Sequence, residues 1–236
     1  VTSEVSNTLS IFELTPATNY TLQVLHYYGE SGLLGIQTAP IMGAMIDRFD
    51  DQYANTLVLG EGDSFIPGPW LIAGADPSLN SVAGIGATAL GRPDFAIMNA
   101  FGTDASALGN HEFDLGSPVL SGAFFPSGAW VGAQFPFITT NLDFANDSSL
   151  KARADTTLGG TGGAIAGSET TAIKAKIAPY AVQTISGQKV GIVGATTWEL
   201  LTKTSPNGTV PKDDANAATS DLEEVATYLQ GARSEE

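Results

Sequence analysis

The chain has 236 residues, enough for one large domain or two small ones with a sizeable core. Lys and Arg number 10 against 25 Asp and Glu, a formal charge of −15, which excludes a nucleic-acid-binding face of clustered cations and disfavours anionic membrane surfaces. Cysteine is absent, so disulfides, thiolate nucleophiles, cysteine-ligated zinc and iron–sulfur clusters are excluded too.

Residues 1–19 are polar and mixed and are expected to form an N-terminal arm. The chain opens on Val-Thr-Ser-Glu without Met or a signal-like pattern and is expected to be a processed or partial form of something longer. Residues 22–26 are a short apolar run suited to a buried strand, followed by the turn-rich Tyr28-Gly-Glu-Ser-Gly32. Pro40 is expected to open a helix with Ile41, Met45 and Phe49 on one face. Residues 56–59 read as the next strand, running into Gly60-Glu61-Gly62-Asp63. Such a strand, helix, strand succession favours an α/β arrangement.

Residues 66–91 are rich in Gly, Ala and Pro and are expected to be irregular with a helical piece. A second helix is expected over 93–101, with Gly102 at its C-terminal end. Residues 105–108 read as a strand that delivers Gly109-Asn110-His111-Glu112-Phe113-Asp114 into a loop, and 135–141 as another. Residues 143–176, with the glycine-rich run 159–163, are expected to be an exposed insertion. Residues 180–185 and 189–193 form a predicted hairpin about the Ser186-Gly187 turn. Ser220-Asp-Leu-Glu223 is a capping-box pattern opening a last helix, so the domain expected after the arm runs over 20–236. Core or partial burial is expected for Trp70, Trp130 and Trp198.

The chain has two histidines, His26 and His111, each at the exit of a predicted strand. Ligands of open α/β sheets bind beyond the carboxyl ends of the strands, so Asp63, Asn110, His111 and the 26–31 loop are expected to converge there. Carboxylate and amide oxygens with an imidazole suit a divalent metal of the zinc, manganese or iron type. On spacing alone a bland reading stands beside this one: an Asp after Gly also caps turns, and a lone His also serves as an ordinary core or surface group.

Five segments in order carry a resemblance. They are Leu22-Gln-Val-Leu-His26, Leu59-Gly-Glu-Gly-Asp-Ser-Phe65, the stretch from Met98 to Asp114 ending in Gly-Asn-His-Glu-Phe-Asp, Pro136-Phe-Ile-Thr-Thr-Asn141, and Gly187 to Glu199 ending in Thr-Thr-Trp-Glu. Together they resemble the bacterial 5′-nucleotidase family of calcineurin-like metallophosphoesterases, over residues 20–200. The resemblance implies an α/β fold, a metallophosphoesterase-type α/β/β/α double-sheet sandwich, with one or two divalent ions, zinc, manganese or similar, at the strand ends. By the same resemblance Asp63 is the bridging metal ligand, Asn110 a ligand of one ion, His111 the catalytic histidine at the scissile phosphate, and Asp114 the carboxylate that orients it. The implied reaction is hydrolysis of a nucleotide or other small phosphate monoester, in a periplasmic, secreted or cell-surface protein.

Two departures follow. Where the family carries Asp-x-His after its first strand, this chain has Gly29-Glu30-Ser31, leaving Glu30 as a substitute carboxylate. The family's later histidine ligands fall in motifs beyond Thr-Thr-Trp-Glu, so a C-terminal segment of the same parent chain is an expected partner. The alternative expectation is a degenerate phosphoesterase fold with a structural or binding role in an extracellular or surface assembly.

Overall fold

In a computed structural model, residues 8–12, 35–155 and 166–212, with Ala226 and Gln230, are described. Strand β1 (Thr8–Phe12) is followed by helix α1 (Gly35–Gln52), β2 (Leu59–Gly60), α2 (Pro69–Ala73), α3 (Arg92–Ala100), β3 (Ala105–Ala107), α4 (Ser117–Phe124) and β4 (Phe137–Ile138). Then come β5 (Leu142–Asp143), β6 (Ile177–Ala178), β7 (Tyr180–Ile185), β8 (Gln188–Ala195), α5 (Leu200–Lys203) and β9 (Val210–Pro211). A parallel sheet has the order β2-β3-β4-β6, an antiparallel sheet the order β1-β8-β7, and β5 pairs with β9. Helix α3 connects β2 to β3 and α4 connects β3 to β4, as parallel neighbours require a crossover.

Two-residue alternation explains the layers. In β4, Phe137 joins the helix-side core while Ile138 joins the core between the sheets. In β6, Ile177 and Ala178 divide the same way. Strands β4 and β6 are therefore apolar on consecutive residues, because both faces are covered. On the helix side, Phe95 of α3 centres an aromatic cluster, 5.6–6.2 Å from the rings of Phe65, Phe124, Phe135 and Phe137. Between the sheets lie Ala105, Ile138, Ala178, Ala181 and Ile192, and β8 packs on β3 and β4. The side chains there are small and the approach is close: a Cβ at Gly194 would come within 2.6 Å of the Ile138 carbonyl oxygen. This is the N-terminal part of the expected α/β/β/α sandwich.

Several elements follow the sequence closely. The β7–β8 turn sits at Ser186 and Gly187, both at positive φ, as a two-residue hairpin turn requires. Helix α3 stops before Gly102, whose φ is +70°. The strands expected over 56–59 and 135–141 are shorter than expected. The first is extended by two bonds between Val58 and Asp104, and the second opens at Thr139–Asn141, where the Thr139 and Asn141 side chains bond Thr196 just past β8.

Other expectations are corrected. Residues 8–12, expected within an arm, form β1 and pair in register with β8, Thr8 opposite Ala195 and Phe12 opposite Gly191. Helix α1 starts before Pro40 instead of at it, and Ile41 and Met45 are 61% and 42% exposed. Its covered side carries the buried Ala39 and Gly43, whose lack of a side chain lets the backbone lie close to the Phe101 ring. The described parts of 143–176 are not an exposed insertion, since Phe144, Asp147, Leu150, Thr170, Ile173 and Ala175 are all buried. Trp130 is buried with its indole N–H donating to the Ala123 carbonyl at 2.8 Å, whereas Trp198 is 49% exposed. The predicted strand over 22–26, the glycine run 159–163 and most of the predicted last helix lie outside the described residues; Ala226 and Gln230, which are described, are helical.

Candidate active site

Adjacent parallel strands β2 and β3 run out into two loops on the same side of the sheet, and the loops meet. The β2 loop carries Asp63 at φ +57°, in the left-handed region. For a residue with a side chain that conformation costs roughly 1–2 kcal/mol, and it persists only where surroundings impose it. Here the surroundings come from the β3 loop. Asp63 Oδ1 accepts the His111 backbone N–H at 3.1 Å. Glu112 accepts the Asp63 N–H on Oε2 at 3.0 Å and the Ser64 N–H on Oε1 at 2.7 Å.

The β3 loop continues through Asn110 into a 3-10 turn over His111–Phe113, anchored by the buried Phe113 ring. Three residues apart on this turn, His111 Nδ1 and Asp114 Oδ2 lie 2.6 Å from each other. The imidazole is 41% exposed, with Nδ1 committed to Asp114. Burial disfavours the charged ring, but the hydrogen bond and charge of Asp114, backed by the charges of Asp63 and Glu112, outweigh it and raise the His111 pKa. Asn110 is buried, and its Oδ1 has no hydrogen-bond partner among the described residues. A buried amide oxygen without a donor is costly in a native protein and marks a place for an absent partner.

The sequence assigns Glu112 no role. It is fully buried, and burial together with the neighbouring Asp63 charge pushes its carboxyl up to about 7 against the pull of two backbone amides. Its type inside a short motif hints at importance, but its partners lie 49 and 48 residues away. The exits of β4 and β8 also brace this region. Asn141 Nδ2 donates to the Thr196 carbonyl at 2.7 Å, and Asn141 Oδ1 accepts the Thr196 N–H at 2.9 Å. Thr196 Oγ1 then donates to the Leu108 carbonyl at 2.5 Å, two residues before Asn110.

The structure thus brings together Asp63, Asn110, His111 and Asp114. Glu30 and His26 lie outside the described residues. Among the described residues, no three His, Cys, Asp or Glu side chains form a group able to hold a metal ion. The Asn110 amide oxygen, without a partner among the described residues and one residue from the amide that the Asp63 carboxylate accepts, is of a donor type that suits a hard or borderline divalent cation.

No protein-family model matches the chain. It is 32% identical over 134 residues to the trifunctional nucleotide phosphoesterase protein YfkN of Bacillus subtilis (strain 168), a match covering 53% of this chain and 9% of that protein. It is 33% identical over 116 residues to the snake venom 5′-nucleotidase of Gloydius brevicauda, covering 49% of this chain and 15% of that one. The chain therefore spans a small part of the length of these relatives. In structure it superposes on the 5′-nucleotidase precursor from Thermus thermophilus with a TM-score of 0.53 and 26% identity, over 80% of this chain and 29% of that one. By sequence and by fold, the chain is similar to part of a nucleotide phosphoesterase and of 5′-nucleotidases, with the α/β architecture of their metallophosphoesterase-type N-terminal domain.

Proposed function

We propose that the chain carries part of the active site of a metal-dependent hydrolase of phosphate monoesters, with nucleotides or related small phosphates as substrates. The observation that carries this reading is the meeting of two strand-exit loops in which the Asp63 carboxylate accepts the His111 amide, next to the buried Asn110, whose Oδ1 has no partner among the described residues. It is supported by likeness to proteins named as nucleotide phosphoesterase and 5′-nucleotidase. Asp63 and Asn110 would hold one or two divalent ions, such as zinc or manganese, with Glu30 as the residue to test for a further ligand. Bound divalent metal supplies an activated water and charge neutralisation on the phosphoryl group.

The remaining work falls to the chain's own groups. Asp114 holds His111 through Nδ1, fixes the ring's orientation and favours its charged form. The Nε2–H of the charged ring is then available to a phosphate oxygen, where it offsets developing negative charge. Metal and imidazolium together supply the cationic character that a chain of net charge −15 lacks in bulk. The later ligands of the site would come from a C-terminal segment of the same parent chain. Because one relative is a venom protein and another a precursor, we extend the proposal to a secreted, periplasmic or surface location. Among the described residues no helix is long and apolar enough to cross a membrane.

The test is metal content together with hydrolysis of 4-nitrophenyl phosphate and of a nucleoside monophosphate by the full-length protein. Asp63→Asn is expected to lower bound metal, and His111→Ala to lower turnover roughly 100-fold or more with metal retained. A second reading, a phosphoesterase fold kept as a scaffold, is favoured by Gly29-Glu30-Ser31 standing where the family has Asp-x-His. Absence of both metal and turnover in the full-length wild type would establish it in place of the first.

A further inference from the structure

We propose that Glu112 is a positioning residue whose buried carboxylate clamps the Asp63 backbone and thereby aims the Asp63 side chain. Both Glu112 oxygens are spent on consecutive amides of the other loop, Asp63 at 3.0 Å and Ser64 at 2.7 Å. In return the Asp63 carboxylate accepts the amide of His111, the residue before Glu112, at 3.1 Å. The arrangement is reciprocal, like a capping box built between two loops instead of within one helix. It explains three otherwise separate facts.

First, a fully buried carboxylate is tolerated because two N–H donors converge on it. Second, Asp63 keeps a left-handed φ of +57° because its own amide and the next are both pinned from outside. Third, the direction of the Asp63 carboxylate is set relative to Asn110, since the same turn that carries Glu112 also presents the His111 amide. Glu112 is not placed to touch a substrate: it has no exposed surface and both its oxygens face backbone. Glutamine is the telling replacement. It keeps one acceptor and turns an N–H₂ toward an amide that needs an acceptor, so one of the two bonds is replaced by a clash of donors.

The metal arm of the test rests on the reading of Asp63 and Asn110 given above, and the exchange arm does not. In the metal-free full chain, amide hydrogen exchange is measured at Asp63, Ser64 and His111 in wild type, Glu112→Gln and Phe113→Leu. The Phe113 variant loosens the same turn without touching the clamp. Glu112→Gln is expected to speed exchange at Asp63 or Ser64 directly and, through the lost aim of Asp63, at His111 by about tenfold. Phe113→Leu at matched loss of thermal stability is expected to leave the His111 amide protected. Unchanged protection of His111 in Glu112→Gln, or equal deprotection in both variants, overturns the proposal.

In the second arm Mn²⁺ alone is titrated calorimetrically. Glu112→Gln is expected to weaken its binding roughly 10–100-fold, as loss of an outer partner of a ligand does, and Phe113→Leu to leave it within about threefold. Equal weakening in both variants also overturns the proposal. A wild-type chain that binds no Mn²⁺ counts against the metallophosphoesterase reading, while the exchange arm still decides the role of Glu112.

Discussion

Gly62 lies against Gly109 across the gap between the β2 and β3 loops: a Cβ on Gly62 would come within 2.8 Å of the Gly109 amide nitrogen and 3.2 Å of the Ala107 carbonyl oxygen. With φ at +93°, Gly62 also occupies a backbone region closed to side chains on steric grounds. Glycine at position 62 lets its loop touch the backbone of the β3 loop. That contact brings Asp63 within reach of the His111 amide and Glu112 within reach of Asp63.

Gly62→Ala is therefore expected to cost more than the roughly 1–2 kcal/mol of left-handed strain alone, because the clash is with backbone and cannot be relieved by a side-chain rotation. Urea denaturation measures the loss. The loops must separate to admit the methyl group, so metal retention by the full-length protein should fall in parallel. A variant of wild-type stability would show that the loops do not meet.

Asp114→Asn keeps a hydrogen-bonding group beside His111 Nδ1 and removes the charge. Turnover of a phosphate monoester is expected to fall roughly 100-fold, since the ring loses the partner that favours its charged form. Bound metal should stay at the wild-type level, because the Asp114 contact is with the imidazole and not with Asp63 or Asn110. Steady-state kinetics and elemental analysis on the same sample check both halves.

Asp104 gives a pH signature remote from the site. Burial raises its pKa, the hydrogen bond from the Val58 amide opposes this, and the Asp50 charge adds to it. A carboxyl with a raised folded-state pKa holds its proton in the folded chain after the unfolded chain has lost it near 3.8, so the folded state binds more protons in that window. Its contribution to stability is present at low pH and declines as pH rises from about 3.8 through the raised folded value. Asp104→Asn retains an oxygen for the Val58 N–H at 2.9 Å and removes this window. The variant should gain stability relative to wild type as pH rises through it, read as the difference in urea midpoint between the two proteins at each pH.

The parts of this protein legible in the sequence are those governed by near neighbours. The β7–β8 hairpin follows from two β-rich runs about Ser186-Gly187, and the end of α3 from Gly102, because turn chemistry and capping act over a few residues. The pairing of His111 with Asp114 is implied by the resemblance, and the short turn that carries both places His111 Nδ1 2.6 Å from Asp114 Oδ2. The placement of Asp63 beside them follows from the rule that consecutive strand exits of an α/β sheet share an edge.

Tertiary structure alone decided the rest. The alternating Thr8-Leu-Ser-Ile-Phe12 segment becomes a strand because β8 offers it an edge more than 170 residues away, and nothing local announces that partner. Helix α1 turns Ala39 and Gly43 inward instead of Ile41 and Met45; Gly43 approaches the Phe101 ring, and periodicity cannot say which face will be covered. Glu112 reads in sequence as one more acid in an acidic chain. Its burial and its two bonds exist only because the β2 loop, 48 and 49 residues earlier, presents two consecutive amides at that place. Local periodicity and turn chemistry specify which elements form, whereas the sharing of long-range hydrogen bonds and the choice of covered face depend on what each element meets.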